Sequence, residues 1–360
     1  MDSLFRNSGK RDTMPLAAAK RLLSRNKRYP ASGALARDGK KGVESLRFSW
    51  VWTTATHPDA NLGDALSAVI VAAICQLPIS RAAFSADSER LAAVGTIGHA
   101  LHFGKVHLWG TGFDMGRDKT GALTGYSIPD DTEMVVHAVR GRRTAAALRQ
   151  RGLDVGENYG DPVWFLPKVF PARVEKKWDL GVIVHISELD RPTADSLVRA
   201  TIERYRIPPE LADRVHIINT YTPATIDGLR DKVEEIAACR RILSTSLHGL
   251  VIAETYGIPC AWFATYAGPS GPLAIEGELS IDHRMKDFYS GVDRDYVLSY
   301  LQPLAQPTDW DGAIRFIDDN WRSLSYTGES LFRAFPLQKK VRFEDAVWII
   351  PEQVLSKIPL

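Results

Sequence analysis

From about residue 48 the chain alternates short apolar runs with stretches of helical periodicity. FSWVWTT (48–54), KVHLWGTGF (105–113), EMVVHAVRG (133–141), LGVIVHIS (180–187), RVHIINTYT (214–222), RRILSTS (240–246) and PCAWFA (259–264) read as buried strands ending in Gly, Ser, Thr or His. Segments 62–76, 142–151, 194–205, 225–238 and 247–257 read as the helices between them. Strands alternating with helices predict an α/β fold of parallel sheets, with ligands held at the carboxyl ends of the strands. The proline-rich GDPVWFLPKVFP (160–171) reads as a linker, because Pro162, Pro167 and Pro171 discourage continuing secondary structure. The pattern predicts two Rossmann-like domains, 47–168 and 169–305, with an interdomain cleft. Helices and a tail occupy 306–360, where Trp310, Trp321 and Phe332 read as packing residues.

At 360 residues and 45% hydrophobic, the chain is long enough for two such domains. No apolar run reaches the ~18 residues that span a bilayer, and MDSLFRNSGKRDTMP lacks a signal-peptide core, so a cytoplasmic protein is expected. Cys75, Cys239 and Cys260 lack CxxC spacing, which indicates neither disulfides nor a metal site. The net charge of +2 hides an asymmetry: residues 1–47 hold twelve Lys/Arg and four Asp/Glu, or +8, which leaves −6 for the rest. The arm 1–46 fits either a disordered, solvated tail or a basic amphipathic segment resting on the inner face of the cytoplasmic membrane. Its basic residues lack interleaved aromatics or a motif, so nucleic acid is not an expected partner.

The candidate chemistry sits at strand ends. In RRILSTSLHGLVIAETYGIP the strand runs into Ser244, Thr245 and Ser246, any of which can cap a helix, and His248 and Gly249 fall in its first turn. Backbone N–H groups and the helix dipole make such a place suited to an anion, and a histidine there can hand on a proton. The spacing fits equally a histidine that only hydrogen-bonds the strand end. In ATHPDANLGDALSAVIV, Asn61 and Gly63 precede Asp64, which reads either as an N-cap or as a carboxylate that handles a sugar hydroxyl. Gly110 and Gly112 of LWGTGF would let backbone approach a ligand. Arg140, fixed at a strand end before Gly141, is suited to bidentate anion contact. In IDHRMKDFYSGV, His283 and Arg284 read as cleft-lining, and Asp287 reads as a surface ion-pairing residue.

NLGDALSAVIV, LWGTGF, VRGRRTAAAL together with NYGDPVWFLP, and STSLHGLVIAETYGIP resemble, in this order, the polysaccharide pyruvyl transferase family, most closely its succinoglycan-type ketal-forming branch. The resemblance covers about residues 50–290. It implies two Rossmann-like domains in a glycosyltransferase-B-like arrangement, and transfer of pyruvate from phosphoenolpyruvate to a sugar of an exopolysaccharide repeat unit as a cyclic ketal. The basic arm then points to a lipid-linked oligosaccharide or polysaccharide acceptor, and no cofactor or metal is expected, because arginines can neutralise the charge. His248 is then the expected proton donor and Asp64 the hydroxyl-handling group, the two catalytic candidates. Asn61, Gly63, Gly110, Gly112, Arg140, Ser244, Thr245, Ser246, Gly249, His283 and Arg284 are the substrate-binding candidates. Many relatives carry arginine two positions before the histidine, where this chain has Ser246, so the cation must come from Arg240, Arg241 or elsewhere. A nucleotide-sugar glycosyltransferase, with Glu254 as its acidic residue, and a non-catalytic assembly protein of the same pathway are the alternatives.

Overall fold

The computed structural model describes residues 45–277 and 280–360; the basic arm 1–46 lies outside them but for its last two residues. The first half builds a sheet of five parallel strands. These are β1 (Leu46–Ser49), β3 (Ile79–Arg81), β4 (Arg90–Ala92), β5 (Gly104–Thr111) and β6 (Thr132–Val139), and they lie in the order β3-β1-β4-β5-β6. The second half builds a sheet of six: β7 (Leu180–Val184), β8 (Val215–Asn219), β10 (Ile242–Ser244), β11 (Cys260–Ala264), β12 (Gly271–Ala274) and β13 (Tyr296–Leu301). Their order is β12-β13-β11-β10-β7-β8, with only β12 antiparallel. β7 and β11 are buried at every position, as expected for strands covered on both faces.

A two-strand antiparallel ladder joins the halves: β2 (Ala60–Asn61) pairs with β9 (Tyr221–Thr222). It delivers the chain directly into helix α1 (Leu62–Cys75), whose residues are buried almost throughout. A helix apolar on every side needs cover on every side. The second half supplies part of that cover through α3 (Ile226–Ala237) and α4 (Leu247–Thr255), which share the core with α1. Helix α5 (His283–Gly291) adds Met285, Phe288 and Tyr289 to the same core, while α2 (Arg142–Gln150) and α6 (Trp310–Asn320) pack in separate clusters of the first and second halves.

Three expected features differ, the first being the strand expected over 48–54, which ends at Ser49. Segment 160–171 is helical: a 3-10 turn Pro162–Phe165 runs into a short helix Leu166–Val169. Pro162 and Pro167 each stand in a first turn, where the missing N–H breaks no bond. Val163, Phe165 and Leu166 are buried between α1 and α4, so this segment is core. Segment 194–205 forms no helix until a single 3-10 turn at Glu203–Tyr205. The Asn219 side-chain amide donates to the carbonyls of Thr193, Ala194 and Ser196 and holds that stretch as a loop. Trp310 and Phe332 are buried and Trp321 packs against the core. Among the described residues no helix is long and apolar enough to cross a membrane.

Candidate active site

The carboxyl ends of both sheets and the starts of α1 and α4 converge on one cleft. Asn61 is the N-cap of α1 and Ser246 that of α4, and neither makes a side-chain cap hydrogen bond. The two helix starts therefore present positive ends to the same space. Gly63 and His248 are where they touch: a Cβ on Gly63 would lie 1.9 Å from His248 Nδ1. The absent side chain is the room the imidazole occupies.

The other face of that ring meets Asp161, a residue of the segment expected to be a linker. Asp161 is fully buried, and its Oδ1 accepts from the Val163 N–H at 3.0 Å as the N-cap of the Pro162 turn. Its Oδ2 lies 3.7 Å from His248 Nε2, and both atoms are buried with no hydrogen-bond partner. Asp64 completes the group. It is the third residue of α1 and not its cap, and it packs beside the turn after β4, with Gly95 close to its Oδ1. Burial raises its pKa, with Asp161 adding to the rise and the charges of His248 and Arg284 opposing it. A carboxyl so placed exchanges protons closer to neutrality than an ordinary aspartate.

Arg284 is the guanidinium brought close enough to Asp64 to act on its charge. It forms an ion pair with Asp282 at 2.7 Å and approaches His185 Nε2 at 3.2 Å. Burial and the Arg284 charge depress the His185 pKa, and its Nδ1 accepts from the Ser187 N–H at 3.2 Å as the cap of the turn that follows β7. Arg240 and Arg241 stand at the amino end of β10, paired with Asp179 and Asp318, away from the cleft. Strand length alone separates them from the tip. His283 is exposed at the rim, 3.7 Å from Asp282.

Arg140 lies deeper than expected. It is fully buried, donates from Nε to Asp287 Oδ2 at 3.1 Å and from Nη1 to Thr96 Oγ1 at 2.7 Å, and leaves Nη2 unpartnered. Asp287 is accordingly no surface residue: it is buried and also accepts from Thr144 N at 2.9 Å, fixing the start of α2. The glycines nearby make room for protein. A Cβ on Gly112 would strike the Arg140 guanidinium at 2.4 Å, and one on Gly110 would strike Pro162 at the same distance. Gly249 likewise makes room for Ser244 Oγ. Ser244 is fully buried and its hydroxyl binds Ser246 O, while Thr245 donates to Glu188 at 3.0 Å. The structure thus gathers His248, Gly63, Asp64 and Arg284 at the cleft and sets Ser244, Gly110 and Gly112 in the scaffold around it. Glu254 is buried against Tyr289 and Arg294, which removes the acidic residue of the nucleotide-sugar alternative from the cleft.

Sequence reasoning missed Asp161, His185 and Tyr221. Asp161 had a local signal, since Asp before Pro at a helix start is a capping pattern. His185 and Tyr221 stand at or just past strand ends, the same signal that picked out His248.

Residues 100–266 match the family model described as polysaccharide pyruvyl transferase. An uncharacterized protein of Acanthamoeba polyphaga mimivirus is 29% identical over 129 residues, which are 35% of this chain and 40% of that protein. The match therefore spans about two-fifths of the length of this curated relative. No solved structure matches.

Proposed function

We propose, from the match of residues 100–266 to the polysaccharide pyruvyl transferase family model, that this chain transfers pyruvate from phosphoenolpyruvate to two hydroxyls of one sugar as a cyclic ketal. The observation that carries the reading is the convergence of His248, Asp161 and Asp64 at two uncapped helix starts. The reaction needs a base for a hydroxyl, an acid for the methylene carbon and positive charge for the departing phosphate. Asp64, with its raised pKa, takes the proton of the first hydroxyl as that oxygen bonds to C2. His248, held by Asp161, delivers a proton to the methylene carbon, which becomes the methyl group. The second hydroxyl then bonds to C2 as the bond to the phosphate oxygen breaks. One hydroxyl proton thus balances the methyl group and the other leaves with phosphate. Arg284 and the start of α4 receive the anionic donor. The two sheets facing this cleft suit a Rossmann-like, glycosyltransferase-B-like arrangement.

The test is release of inorganic phosphate from phosphoenolpyruvate by the full chain, dependent on a saccharide acceptor and abolished by His248→Ala. Turnover of a nucleotide sugar in place of phosphoenolpyruvate would overturn the reading.

A further inference from the structure

Beside Asp64 opens a cavity of about 320 Å³, walled by the loop that leaves β1. The apolar pattern predicts strand as far as residue 54, but β1 stops at Ser49 and frees Trp50 and Trp52 to line the space. The two rings meet edge to face at 5.4 Å, and the Arg81 guanidinium sits over both, 5.9 and 5.6 Å from their centres. This buttress fixes two aromatic walls whose rigidity lowers the entropy lost on binding. Tyr221 closes the cavity from the other half of the chain, and Asn61 and Asp59 provide polar edges.

The lining has a definite chemistry. It holds Asp59 and Asp64 and neither lysine nor arginine, which disfavours an anion such as phosphoenolpyruvate. Its volume stands at the small end of ligand cavities, which run from about 300 to 1,000 Å³. A ligand with an apolar C–H face and a rim of hydroxyls fits aromatic walls with carboxylate and amide edges. We propose that this cavity seats the acceptor sugar, a neutral pyranose packed along Trp52 with a hydroxyl directed to Asp64, an assignment that rests on the transfer reading above. Donor and acceptor then approach Asp64 from opposite sides: the anion from Arg284 and α4, the sugar from the tryptophans.

The test is saturation-transfer NMR on the full chain without donor, using methyl glycosides of glucose, galactose and mannose as probes. At least one glycoside is expected to receive saturation at its ring protons. Trp52→Ala should weaken that binding about tenfold or more, while Trp52→Phe restores most of it. In turnover, Trp52→Ala should raise the acceptor KM and leave the phosphoenolpyruvate KM unchanged. Binding of none of the glycosides, or equal binding by Trp52→Ala, overturns the proposal. Glycoside binding that depends on Trp52 in a chain that releases no phosphate sinks the transfer reading and keeps the sugar site. Phosphate release with an acceptor KM indifferent to Trp52 does the reverse.

Discussion

His248 Nε2 stands 3.7 Å from Asp161 Oδ2, and each atom is buried with no hydrogen-bond partner. The gap is longer than a hydrogen bond, and such contacts commonly tighten only when substrate is bound. Asp161→Asn separates the two duties of this side chain. The amide oxygen can still accept from Val163 N–H and hold the turn, but the charge facing the imidazole is gone. Phosphate release should fall about 10²-fold or more, with little change in Tm. A variant that turns over like the parent would sink the idea that Asp161 positions His248.

Gly63 sets the position of the same ring from the other side. An alanine Cβ would sit 1.9 Å from Nδ1 and 2.1 Å from Cγ, so the imidazole must leave its place. Overpacking of this kind costs about 1–3 kcal/mol, offset in part by the ~1 kcal/mol that alanine gains over glycine in a helix. Gly63→Ala is therefore expected to be modestly destabilised in urea denaturation and to lose activity as severely as His248→Ala. Normal activity would show that the ring tolerates displacement.

The strand ends were legible because central parallel strands are continuous apolar runs, and the residues just past such a run lie at the ligand-binding edge of the sheet. His248 was picked as a candidate that way. β4, three residues long, leaves no such pattern, so the turn after it that touches Asp64 through Gly95 and Arg140 through Thr96 went unseen. Asp161 was hidden by Pro162 and Pro167, which read as interruption although each occupies a first helical turn. The burial of Asp287 depends on α5 packing against the start of α2, a long-range contact that no local periodicity encodes.

That contact makes a sharp prediction about Arg140. Both members of the Arg140–Asp287 pair are buried, with side-chain exposures of 0% and 5%. Removing one partner leaves an uncompensated buried charge, which costs about 3–5 kcal/mol. Asp287→Ala should lose that much stability in urea denaturation, and Arg140→Met with Asp287→Leu should lose less than the single change. A loss below ~1 kcal/mol would mean that the pair behaves like a surface salt bridge.

Asp64 should show stability and activity pulling apart. Its pKa in the fold is raised above 3.8, chiefly by burial, so the fold favours the protonated carboxyl. The stabilisation from this preference is complete below the unfolded value and is lost as pH rises through the folded one. At neutral pH the ionised carboxylate is then a net burden on the fold, which its proposed role as a base requires. Asp64→Asn is isosteric and carries no charge. Its Tm at pH 7–8 is expected to equal or exceed that of the parent, and the advantage should shrink as pH falls toward about 4 and be absent below it. Phosphate release should meanwhile fall about 10²-fold or more. In the parent, the acid limb of the rate profile should lie above the range of an ordinary aspartate, because the base must ionise against its surroundings. A Tm clearly below the parent at pH 7–8 would show instead that the ionised carboxylate is stabilised by His248 and Arg284 more than burial penalises it.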